Sequence, residues 1–161
     1  MKKRLFSLLL ALTVLLGVPF PVHGEGAGMP EVSAKAAVVM DALTGRVIFG
    51  KNPAERLHMA STTKIMTALL TLEQPGLDVM FEADADAIQV EGSSMGLRVG
   101  DMVSLRTLAA GMLLPSGNDA ANAAAVRIAG SIPEFVMMMN RRAAQLGLSD
   151  TNFETPSGLD G

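Results

Sequence analysis

Two strand-like runs joined by a turn, then four helical segments without strand–helix alternation, predict an α+β domain in which an antiparallel sheet packs on a helical cluster. The runs are Ala36–Met40 and Val47–Lys51, and Asp41-Ala42-Leu43-Thr44-Gly45-Arg46 between them is turn chemistry, so they form a β-hairpin. Lys51–Met59 is polar, contains Pro53 and reads as a loop. The helix entered at Ser61 carries Ile65, Met66, Ala68, Leu69, Leu70 and Leu72 around most of its circumference, which predicts a buried central helix ending before Pro75-Gly76. Short strand-like pieces follow at Ile88–Val90 and Leu97–Val99, around a Gly92–Gly96 loop. Ser104 is placed to cap a helix with Leu105, Leu108, Ala109, Met112 and Leu113 on one face, broken by Pro115. Asp119–Ala129 is the next helix, closed by Gly130. Ser131-Ile132-Pro133-Glu134 is a capping box that opens a fourth, with Phe135, Met138, Met139 and Leu146 inward and Gly147 at its end. A two-stranded hairpin cannot cover a central buried helix, so the pattern asks for more strands than it contains.

Composition narrows the function classes. Lys2, Lys3 and Arg4 precede an apolar run from Leu5 to Val18, and Val22-His23-Gly24 suits cleavage before Glu25. Residues 1–24 therefore read as a secretory signal peptide, 25–35 as a linker rich in Gly, Pro and Ala, and 36–161 as domain sequence. Taking those three basic residues from 13 leaves 10 Lys and Arg against 16 acidic residues, a net charge of −6. An acidic exported chain is a poor partner for nucleic acid or a polybasic membrane contact. Without Cys there is no disulfide, thiol or thiolate-metal chemistry, and His58 is the only histidine after residue 24, so a His-based metal cluster is excluded too.

Two polar motifs in apolar helical sequence carry the chemistry. In Ser61-Thr62-Thr63-Lys64 the serine and lysine lie at i and i+3, on one helix face, so the Lys64 amine can reach the Ser61 hydroxyl. A lysine is a base only when neutral, and burial in the first turn of an apolar helix, near the helix N-terminal dipole, lowers its pKa. In Ser116-Gly117-Asn118 the hydroxyl can relay a proton between Lys64 and a leaving amine, and the amide has the donor and acceptor that hold a substrate amide. Each motif alone reads more readily as something plainer: a helix cap with a solvated lysine, or a polar inter-helix loop. The apolar helix behind Lys64, and the helices pinning the Ser116 loop, favour the chemistry.

The chain resembles the exported D-alanyl-D-alanine carboxypeptidases, the low-molecular-mass penicillin-binding proteins, which have the β-lactamase/transpeptidase-like fold. Besides the two motifs, the likeness rests on Ala37–Asn52, Ala60–Ala68, Gly92-Ser93-Ser94-Met95, Leu113–Ala121, Met139-Asn140, Leu146-Gly147-Leu148 and Asn152–Asp160. The resemblance implies that Ser61 is the acylated nucleophile, Lys64 its general base, Ser116 the proton relay and Asn118 a substrate contact. The implied substrate is a peptidoglycan stem peptide ending in D-Ala-D-Ala, with β-lactam antibiotics as covalent inhibitors and no metal or cofactor. It also implies a Lys-Thr-Gly strand and further sheet strands after Gly161, with in many members a tail that ties the enzyme to the membrane. On that view residues 36–161 are the N-terminal part of a catalytic domain, the fold is incomplete at Gly161, and residues 25–161 alone are inactive and poorly folded. The competing readings are a serine β-lactamase of the same fold and a non-catalytic cell-wall or sporulation protein. The first is disfavoured by Gly117, where those enzymes commonly carry Asp, and by the lack of a Glu placed for deacylation after Leu146.

Overall fold

The computed structural model describes residues 31–159; the signal-peptide segment and the first part of the linker lie outside them. The chain divides between Glu55 and Arg56 into two units. In the first, β1 (Ala37–Met40) pairs antiparallel with β2 (Val47–Lys51), Ala37 opposite Lys51, with an irregularity between Val39 and Met40. The turn closes because the Asp41 carboxylate accepts from both the backbone N–H and the hydroxyl of Thr44, at 2.7 and 2.6 Å, while Gly45 takes φ +70°.

The second unit is helical. A 3₁₀ turn, Ala60–Thr63, runs straight into α1 (Lys64–Leu72). It is followed by two residue-pairs of sheet, β3 (Phe81–Glu82) against β4 (Met102–Val103), then α2 (Leu105–Leu113), α3 (Asn118–Ala129) and α4 (Ile132–Gln145). The expected caps are present: Ser104 accepts from the Thr107 N–H and Ser131 from the Glu134 N–H, while Gly130 ends α3 at φ +80°. Among the described residues no helix is long and apolar enough to cross a membrane.

Four expectations are corrected. Ile88–Val90 is not a strand, because the Asp84 carboxylate accepts from the N–H groups of Asp86 and Ala87 and folds the chain into a turn. Leu97–Val99 is not a strand either: the Leu97 and Arg98 N–H groups go to the carboxylates of Asp119 and Asp101, leaving no ladder. Leu113 is the last residue of α2 and Leu146 the C-cap of α4, and both are about half exposed rather than inward. The most completely buried helix is α3 rather than α1, since Ala120, Ala121, Ala123, Ala124 and Ala125 are all out of solvent. Their small side chains let neighbouring helices approach closely, and a Cβ on Gly111 of α2 would stand 3.2 Å from that of Ala120.

Two apolar clusters meet on α3. Ala68, Leu108, Met112, Ile88 and Val103 pack on one side, and Met66, Leu70, Phe135, Met139 and Phe153 on the other. Helix α1 contributes to both, yet its buried face also carries Lys64, Thr67 and Thr71, while Ile65 is 65 % exposed and Leu69 and Leu72 face outward in part. A helix that buries polar residues and exposes apolar ones is organised around hydrogen bonds, and those lead to the site.

Candidate active site

Ser61 lies in the 3₁₀ turn, exposed, with the buried Lys64 one turn on. Lys64 is 1 % exposed, so the solvated-lysine alternative does not apply. Its Nζ is 3.3 Å from Ser61 Oγ and donates to the Ser157 carbonyl at 2.8 Å. Burial pushes its pKa below the ordinary lysine value, as a base requires. Ser116 Oγ donates to Ser61 Oγ at 3.0 Å, so the two serines and the lysine, drawn from places 55 residues apart, share one hydrogen-bonded cluster. Asn118 is the first residue of α3, beside that cluster in sequence, and its Nδ2 donates to the Glu91 carbonyl at 2.8 Å.

Backbone strain marks both serines. Ala60, just before Ser61, has φ +47°, and Ser116 itself has φ +61°. An L-residue held in the left-handed region costs roughly 1–2 kcal/mol, and it persists only where neighbours over-determine it. At Ser116 the neighbours are visible: the Gly117 N–H goes to the Gly111 carbonyl at 2.9 Å and the Asn118 N–H to the Ser93 carbonyl at 2.8 Å.

The residue that fixes this second half was not singled out from sequence. Asp119 is 1 % exposed, and its carboxylate accepts from Ser94 Oγ at 2.6 Å and from the N–H groups of Met95, Gly96, Leu97 and Ala120 at 2.8–3.0 Å. Burial alone would raise its pKa; the hydrogen bonds from Ser94, Leu97, Met95 and Ala120 outweigh that and hold it below the usual carboxylate value. The Gly92–Leu97 loop thereby wraps the start of α3. An acidic residue in the first turn of an otherwise alanine-rich helix was the available signal.

The first half has a corresponding support in Thr155–Gly158, also given no role from sequence. Pro156 and Ser157 are buried, and a Cβ on Gly158, which has φ +75°, would lie 1.9 Å from the Ala60 carbonyl oxygen. A cavity of about 280 Å³ opens beside this contact, lined by Arg56, His58, Ala60, Thr63, Phe153 and Thr155 among others. Among the described residues, no group of three His, Asp or Glu side chains is placed to hold a metal ion.

Known proteins resemble this chain in sequence and in fold. The D-alanyl-D-alanine carboxypeptidase family model matches residues 23–161. The D-alanyl-D-alanine carboxypeptidase DacF of Bacillus subtilis is 37 % identical over 99 % of this chain and 43 % of its own length. A D-alanyl-D-alanine endopeptidase of Pseudomonas aeruginosa is 34 % identical over 99 % of this chain and 54 % of its own. The crystal structure of penicillin binding protein 5 from Haemophilus influenzae superposes with a TM-score of 0.74 at 35 % identity, covering 82 % of this chain and 41 % of that one. The chain thus spans about half the length, or less, of the proteins it matches, and its fold is that of the β-lactamase-like penicillin-binding proteins. On the evidence of the matched residues and the shared fold, it belongs to the D-alanyl-D-alanine carboxypeptidase family.

Proposed function

We propose that the protein is a serine D-Ala-D-Ala carboxypeptidase acting on peptidoglycan stem peptides through an acyl-serine. The observation that carries this reading is the buried Lys64 amine and the Ser116 hydroxyl both within hydrogen-bond distance of Ser61 Oγ. Neutral Lys64 takes the Ser61 proton as Oγ attacks the carbonyl of the penultimate D-Ala. The resulting tetrahedral centre expels the amine of terminal D-Ala, which receives the proton from Lys64 through Ser116. Water then releases the shortened peptide by the same route in reverse, while Asn118 orients a substrate amide. Penicillins acylate the same oxygen. The reading is completed by export through the residue 1–24 leader, action outside the cytoplasm at the cell wall, and a membrane-tying tail beyond Gly161.

The test uses the complete gene product. Release of D-Ala from a stem pentapeptide and covalent labelling by a fluorescent penicillin are both expected, and both are expected to vanish in Ser61→Ala. The rate should rise with pH along a limb centred below the ordinary lysine value of about 10.4, because burial favours the neutral amine. Labelling that survives Ser61→Ala would sink the assignment. Fast turnover of a chromogenic cephalosporin would point to a β-lactamase instead. The likeness to an endopeptidase favours one second reading, cleavage of cross-links, which a cross-linked stem-peptide dimer as substrate separates.

A further inference from the structure

Thr67 is a fully buried polar residue that the chemistry above does not use. It lies three residues beyond Lys64, as Lys64 lies three beyond Ser61, so the three side chains follow one inclined row of the helix. Its hydroxyl donates to the Pro156 carbonyl at 2.6 Å, and the next carbonyl, that of Ser157, accepts from Lys64 Nζ at 2.8 Å. The bend at Pro156 and Ser157 turns both carbonyls onto α1. Its own side chains hold that bend: Thr155 Oγ1 accepts from the Gly158 N–H at 2.9 Å, and Ser157 Oγ accepts from the Leu159 N–H at 3.2 Å. Gly158 then docks on the Ala60 carbonyl, where no side chain fits.

We propose that Thr67 is a positioning residue for the Ser61–Lys64 pair, acting by anchoring the Pro156–Gly158 bend so that the Ser157 carbonyl fixes the Lys64 amine. This rests on the functional reading above and deepens it. A neutral amine has two N–H bonds and one lone pair, free to rotate about the Cε–Nζ bond. An acceptor fixed at 2.8 Å takes one N–H and leaves the lone pair for the Ser61 hydroxyl 3.3 Å away. When Lys64 has taken the proton, the same carbonyl solvates an ammonium on a side chain that is 1 % exposed. Thr67 sets the acceptor because Pro156 and Ser157 are adjacent, so a shift at one carbonyl moves the other. An ångström of misplacement near reacting atoms costs up to about a hundredfold in rate.

The experiment measures penicillin acylation against pH for Thr67→Val and Thr67→Ser in the complete gene product, with folding followed by thermal melting. Thr67→Val replaces the hydroxyl by a methyl that cannot donate, and is expected to slow acylation by about tenfold or more. It should also move the acid limb of the profile to lower pH, because the buried ammonium loses its acceptor while burial remains. Thr67→Ser, which keeps the hydroxyl, should restore most of the rate and the original limb. An unchanged Thr67→Val profile, a slower rate with an unmoved limb, or equal damage in Thr67→Ser would each overturn the proposal. Should Thr67→Val fail to melt cooperatively, Thr67→Ala is read by the same criteria, and loss of folding in both assigns Thr67 to stability and overturns it. If the unsubstituted protein is never acylated, the functional reading fails instead. The positioning role is then still read from the Lys64 titration by side-chain NMR, expected at lower pH in Thr67→Val.

Discussion

The two halves of the site are held by different chemistry. Ser61 and Lys64 are fixed by neutral carbonyls and a glycine packed against backbone, whereas the loop whose Ser93 and Glu91 carbonyls hold Asn118 is itself tied down by one carboxylate collecting five donors. The first support combines hydrogen bonds to neutral carbonyls with close packing and has no carboxylate anchor. The second is electrostatic and depends on the charge of Asp119. On the proposed chemistry the Ser61–Lys64 pair, which needs a neutral amine, is anchored without an added charge, while a buried anion stands three residues beyond Ser116.

The comparison breaks most sharply at Asp119. Asp119→Ala leaves the N–H groups of Met95, Gly96 and Leu97 without their acceptor and should destabilise by about 3–5 kcal/mol, with Asp119→Asn less damaging; urea unfolding measures both. On the other side, Gly158→Ala combines a left-handed backbone with a Cβ placed on the Ala60 carbonyl, and about 2–4 kcal/mol is expected in the same assay. Ser104→Ala, which removes the α2 cap outside either half, should cost about 1 kcal/mol.

Acid sharpens the contrast. The folded-state pKa of Asp119 lies below its unfolded value near 3.8, so its contribution is complete above that value and is lost as pH falls through the lower, folded one. Melting temperature should therefore drop in this acid range, and drop less in Asp119→Asn, while Gly158→Ala keeps the full acid dependence. The smallest effect belongs to the exposed Arg106–Asp78 pair at 2.7 Å, where Asp78→Asn should leave the melting temperature unmoved.

Much of this was legible in the residues. The hairpin, the caps of α2 and α4 and the end of α3 follow from side chains that act locally, such as Asp41, Ser104, Ser131 and Gly130. The meeting of Ser61, Lys64 and Ser116 was legible because it is made by side chains at recognisable spacing. Their supports were harder to see. The carbonyls of Pro156 and Ser157 are backbone groups that any sequence possesses, and their use depends on a bend 93 residues from Lys64. Asp84 and Asp101 diverted N–H groups from the expected strands, a competition that apolar periodicity does not register. The central place of α3 was missed because burial was sought in large side chains, and α3 buries alanines.

The long loop closed between Lys64 and Ser157 also bears on when the protein becomes reactive. A chain made from its N-terminus presents Ser61 long before Gly158 arrives. Until then the lysine amine is in water, protonated, and the serine is an ordinary hydroxyl. On the proposed chemistry the Ser61–Lys64 pair is switched on by completion of its own fold, so a nascent or misfolded copy would be chemically silent toward a penicillin.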